Sequence, residues 1–161
     1  IARPSIFGPE PDEIKAEVYK SLRYRLMAHS AEDICEMFID EFDVDRCGHD
    51  DVRHGFAIYF PETPPEIDIP ALEAQVNAII AENLPVGYVD DNHISVGGKI
   101  HKCNGPRIHV HRTGQIQNFR LMHHLVYDRF KRRYVLVGCV GEGSDEVLAR
   151  LDNQRQQPGW D

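Results

Sequence analysis

The chain has 161 residues, 42% hydrophobic and 27% charged, with a formal net charge of −8. That balance excludes a disordered or fibrous polymer and suits one globular domain with a core of its own. No apolar run is long enough to span a bilayer and no signal-peptide pattern is visible, so no membrane partner is expected. Cys35, Cys47, Cys103 and Cys139 are dispersed, with no C-x-x-C pair, which points to reduced thiols in the cytoplasm or another reducing intracellular compartment.

Residues 1–10 are expected to be an irregular leader. From Asp12 to about Ala28, Ile14, Val18, Leu22 and Leu26 recur every four residues, the stripe of an amphipathic helix. Ser30, with Asp33 three residues on, predicts the cap of a second helix carrying Ile34, Met37, Phe38 and Phe42. An acidic turn, residues 43–54, comes next. Gly55–Phe60 alternates as a strand, and Pro61 to Glu66 form a loop. Asp68 and Pro70 open a helix with the stripe Leu72, Val76, Ile79 and Ile80, stopped at Leu84-Pro85. Val86–Val89 and His93–Val96 flank Asp90-Asp91-Asn92 as a hairpin. A helix is expected from about Ile116 to Lys131, then a strand over Tyr134–Val140 covered on both faces. Ser144 starts a last helix, and residues 153–161 form a polar tail in which Trp160 is free to dock on a partner.

The segment with the densest chemistry is Lys99 to Arg112. Two alternating runs flank Asn104-Gly105-Pro106, a second hairpin signal. A three-residue loop gathers Ile100, Ile108 and Val110 on one face, and register follows the apolar face. The opposite face then carries His101, Cys103, His109 and His111, with opposed Cβ atoms roughly 5 Å apart. Three imidazoles and a thiol are candidate ligands of a divalent metal: zinc, manganese or magnesium.

Charge is unevenly spread. Residues 31–68 hold twelve acids against Arg46 and Arg53, a net of −10. Residues 107–133 hold seven bases against Asp128, a net of +6. The acidic half suits a basic protein partner and the basic segment suits nucleic acid. The alternative is that the two halves pair with each other across the fold.

Four motifs carry likenesses to known families. Asp43 to His54 resembles a calcium-binding EF-hand loop at Asp43, Asp45, Gly48 and Asp51, but departs from it at Cys47 and His54. Tyr88-Val-Asp-Asp91 looks like the magnesium-binding turn of reverse transcriptases, although turn chemistry also accounts for it. Cys103 to His111 has a faint likeness to a motif of archaeal-type primases. Ile108-His-Val-His-Arg112 resembles the His-hydrophobic-His motif of the HUH endonuclease superfamily. That resemblance implies His109 and His111 as metal ligands, Tyr127 as a nucleophile on the following helix, and Arg112 and Arg120 steadying phosphate.

The expectation is therefore a single α+β domain spanning 1–161, with N-terminal helices on a mostly antiparallel sheet bearing hairpins near 86–96 and 99–112. Its expected function is non-enzymatic binding or assembly through the acidic half, with a His/Cys metal site. The alternative is a metal-dependent nucleic-acid-processing enzyme of the HUH type.

Overall fold

The computed structural model describes residues 11–42, 44–52, 54–62 and 65–155. The expected leader, Asp43, Arg53 and Trp160 lie outside them. The fold is α+β with antiparallel sheets.

A single helix, α1 (Pro11–Glu41), opens the described residues. It replaces the two helices expected from Ser30. No glycine or proline interrupts residues 12–41, and a cap residue starts a helix only where the preceding one ends. Ser30 instead sits mid-helix, where its hydroxyl donates to Leu26 O (2.7 Å). Ile14, Val18 and Leu22 of the predicted stripe remain about half exposed. Burial begins further on, and residues 27–37 are buried on every side.

The residues expected to form an acidic turn contain β1 (Gly48–Val52), antiparallel to β2 (Gly55–Phe60). Phe56, Ile58 and Phe60 of β2 face the core. β8 (Arg133–Cys139) pairs with β2 on one side. On its other side it pairs with β6 (Arg120–Leu121) and β7 (Val126–Asp128). Leu136 and Gly138 of β8 are buried, while Val135 and Val137 are half-buried, so the strand is only partly covered on one face.

The helix expected over 116–131 is absent. The open edge of β8 takes those residues as short strands, since strand pairing satisfies backbone groups that a helix would otherwise satisfy locally. Asn118 is left-handed, with φ 49°. The Asp128 carboxylate accepts from the Phe130 and Lys131 amides at 3.1 Å each, making a side-chain turn. Phe130, counted in the predicted stripe, is fully exposed at that turn.

Helix α2 (Ile69–Glu82) forms as expected, with Asp68 Oδ1 accepting from Ala71 N at 3.1 Å. The 86–96 hairpin is also present, as β3 (Val86–Asp90) and β4 (His93–Val96). The 99–112 hairpin is not. β5 (Lys99–Lys102) returns against β4 through Gly97 and Gly98, with φ of 58° and 87°. Two positive-φ residues make the tight turn that suits a two-residue hairpin, and glycine adopts it without a Cβ clash. In this register His101 lies opposite the fully buried Ile94, so His101 turns inward and Ile100 outward. The observed face is therefore the inverse of the one expected from the apolar residues.

The middle of α1 packs on β1 and β2. β5 and the irregular segment after it also reach the helix, bringing His101 and Val110 to Asp33 and Ser30. α3 (Ser144–Arg155) closes the described chain. Among the described residues no helix is long and apolar enough to cross a membrane.

Candidate metal centre

Positions i, i+3, i+4 and i+7 of a helix share one face. On α1 these are His29, Glu32, Asp33 and Glu36, all at most 2% exposed. Buried carboxylates need hydrogen bonds or countercharge. Arg46 supplies one cation, with Nη1 3.1 Å from Glu36 Oε2. The other groups facing this stripe are titratable: His49, His101, Cys103 and His109.

Cys103 follows β5 directly, its amide donating to Asn92 O at 2.7 Å. Gly105 then brings the backbone close over His29, where a Cβ would meet Cε1 at 3.3 Å. Arg107 stacks its guanidinium 4.8 Å from the Tyr88 ring centre and donates to His93 O and Asp90 O. His109 and Val110 belong to no strand but are pinned from three sides. Val110 N donates to Ser30 Oγ (2.9 Å). His111 O accepts from Val86 N (2.9 Å) and Thr113 N donates to Leu84 O (2.9 Å). The serine expected to cap a helix thus fixes the segment that carries His109.

Four donor atoms converge as a result. Cys103 Sγ is 3.8 Å from His29 Nε2 and 3.9 Å from His109 Nε2. Asp33 Oδ2 is 3.8 Å from His29 Nε2 and 2.6 Å from His109 Nε2. All four residues are buried, and their ligand atoms lie within 4.8 Å of one another. Around a tetrahedral ion bonded at about 2.3 Å to sulfur and 2.1 Å to nitrogen, sulfur–nitrogen edges are roughly 3.6 Å and nitrogen–oxygen edges roughly 3.4 Å. Three of the four edges fall a few tenths of an ångström wide of that. The fourth is a hydrogen bond that would have to open for both atoms to turn to an ion.

The same geometry argues against a Cys-His-Asp nucleophile. In such a triad the acid and the thiol address opposite ring nitrogens. Here both address Nε2 of His109, while Nδ1 meets the Tyr88 hydroxyl at 3.0 Å. A carboxylate, a thiol and a second imidazole aimed at one ring nitrogen surround a point, and the outer nitrogen is left to a supporting partner.

Burial pushes the Cys103 thiol up, but hydrogen bonds from His109 and His29 outweigh it and bring the pKa down to about 7. Burial pulls His109 down, but its contacts with Asp33 and Cys103 win and raise it. Burial dominates at His101 and lowers it in spite of Asp33 and Glu36.

Of the ligands expected from sequence, Cys103 and His109 stand together and His101 stands one residue away, 3.9 Å from Asp33 Oδ1. His111 does not join them. It is exposed beside Gln115, because residues 109–112 are not a strand and the chain turns outward after Val110. His109 and His111 therefore share no face, the arrangement that the HUH likeness required. Tyr127 lies on β7, its hydroxyl donating to Glu62 Oε1 (3.2 Å). Arg112 donates to Asn83 O at the end of α2 (2.6 Å), and Arg120 to Asp145 (3.2 Å). These two arginines occupy separate elements and are engaged by the protein itself.

In the sequence Asp33 reads as part of a capping motif with Ser30, which hides its place beside His29, Glu32 and Glu36. The available signal was the run His-x-x-Glu-Asp-x-x-Glu, whose spacing repeats on one helix face.

No protein-family model matches the chain, and no curated protein matches it either.

Proposed function

We propose that the protein is a metalloprotein whose buried ion, held by His29, Asp33, Cys103 and His109, locks α1 to the loop after β5. The carrying observation is the convergence of those four buried donor atoms. Imidazole, thiolate and carboxylate together favour zinc over magnesium or manganese, which prefer oxygen ligands. Four protein ligands leave a tetrahedral ion no open position, the mark of a structural site. The reading is thus a non-enzymatic binding or assembly module whose fold depends on its metal. Three of the twelve acids of the acidic half, Glu32, Asp33 and Glu36, are buried along α1, so a quarter of them serve the core.

The test is metal analysis of tag-free protein beside Cys103→Ser and His109→Ala. Bound zinc in the native protein that falls by one equivalent in each variant supports the reading. Native protein that retains no metal and shows no thermal shift with zinc, cobalt or manganese sinks it.

A further inference from the structure

We infer that a second divalent cation sits one carboxylate away from the first, held by Asp33, Glu36 and His101, so that α1 carries a binuclear centre bridged by Asp33. This rests on the proposed first site and extends it.

Asp33 divides its oxygens between two groups of ligands. Oδ2 faces His29 and His109, while Oδ1 lies 3.9 Å from His101 Nε2. Glu36 Oε2 lies at the same 3.9 Å from that nitrogen. His101 has a side chain only 6% exposed, and its buried Nε2 has no hydrogen-bond partner. Buried polar atoms are nearly always satisfied. A separation of 3.9 Å is too long for a hydrogen bond yet close to the edge between two ligands of one ion. Glu36 is held in place from outside, by His49 Nδ1 on Oε1 (2.9 Å) and Arg46 on Oε2 (3.1 Å). A carboxylate oxygen that accepts one hydrogen bond keeps a second lone pair for a cation.

Charge points the same way. Glu32, Asp33 and Glu36, with Cys103 as thiolate, carry four buried negative charges; Arg46, shared between Glu36 and the exposed Asp40, carries one positive charge. One divalent ion still leaves this interior negative.

Cobalt(II) titration of the metal-free full chain separates the two sites, because only the first contains a thiolate and gives a sulfur-to-metal charge-transfer band. The expected result is two equivalents bound in the native protein, one with that band. His101→Ala and Glu36→Gln should each bind one equivalent with the band retained. Glu36→Gln keeps the side-chain shape and serves if the alanine variant fails to fold. Native protein that binds a single equivalent, with the band complete and unaltered in both variants, overturns the second site and leaves the first standing. Loss of both ions from a folded His101→Ala protein assigns His101 to the first site and also overturns the second. Native protein that binds none overturns both.

Discussion

His109, a ligand of the proposed first site, is placed by two neighbours that can be changed alone. Tyr88 holds the outer nitrogen of His109 and fixes the ring's orientation. Partners of this kind typically contribute about 10- to 100-fold in metal affinity. Tyr88→Phe is therefore expected to weaken zinc binding about 10-fold in a chelator competition, with secondary structure unchanged. Ser30 acts through the backbone. Ser30→Ala removes the acceptor of Val110 N, a buried donor with no other described partner. The expected loss is about 1–3 kcal/mol in urea unfolding, because a buried donor is left unsatisfied. A weaker metal site should accompany it, since Val110 adjoins His109.

At the scale of the element, the middle of α1 is a helix encased on all sides that nonetheless carries a stripe of acids. A fully encased helix is ordinarily apolar all round. The departure is tolerable only with hydrogen bonds or countercharge, and this links the helix to the proposed metal. The strands show a different constraint. Gly138 of β8 lies opposite Phe56 of β2, and a Cβ there would meet the Phe56 ring at 2.3 Å. Gly138→Ala should destabilise by about 1–3 kcal/mol through overpacking, read as a lower urea midpoint with unchanged m-value. Gly87 of β3 faces open space and is a matched control; its alanine variant should fall well short of that loss.

Across the whole molecule, the proposed ion would sit where helix, sheet and loop meet, so removing it should loosen all three. A ligand at a thousandfold excess over its Kd stabilises by about 4 kcal/mol. For a chain of this length that corresponds to roughly 10 °C in Tm. Chelation is expected to lower Tm by about that amount, with recovery on adding zinc; an unchanged Tm after verified metal loss would deny the ion a structural role. Stability should also fall in alkali. Burial pushes the Cys139 thiol up to about 11 from 9.0, and burial raises Cys35 as well, with help from Glu36 and Glu32. Both raised pKa values favour the protonated thiol in the fold. Their contribution is thus intact below pH 9 and lost as pH climbs toward 11, where the unfolded chain ionises and the native one resists. Cys139→Ala should flatten that decline in urea midpoints measured from pH 8 to 11.

Sequence by itself determined what short-range physics controls. Alternation at Gly55–Phe60, the Asp68 cap with Pro70, and the Asp90-Asp91-Asn92 turn each specify their element locally, and each appears where expected. Cys103 and His109 stand out in the sequence too, because few residue types can bind transition metals, and the structure brings the two together. Tertiary structure decided the rest. Gly97-Gly98 paired β5 with β4 and reversed the face of Ile100 and His101, because a one-residue change of register inverts every side chain. The edge of β8 drew residues 120–128 out of the helix their spacing favoured. Which imidazoles meet was decided above all by a bond across eighty residues, from the Val110 amide to the Ser30 hydroxyl oxygen. A periodic pattern shows that a residue faces inward; only the packing of distant elements determines what it faces.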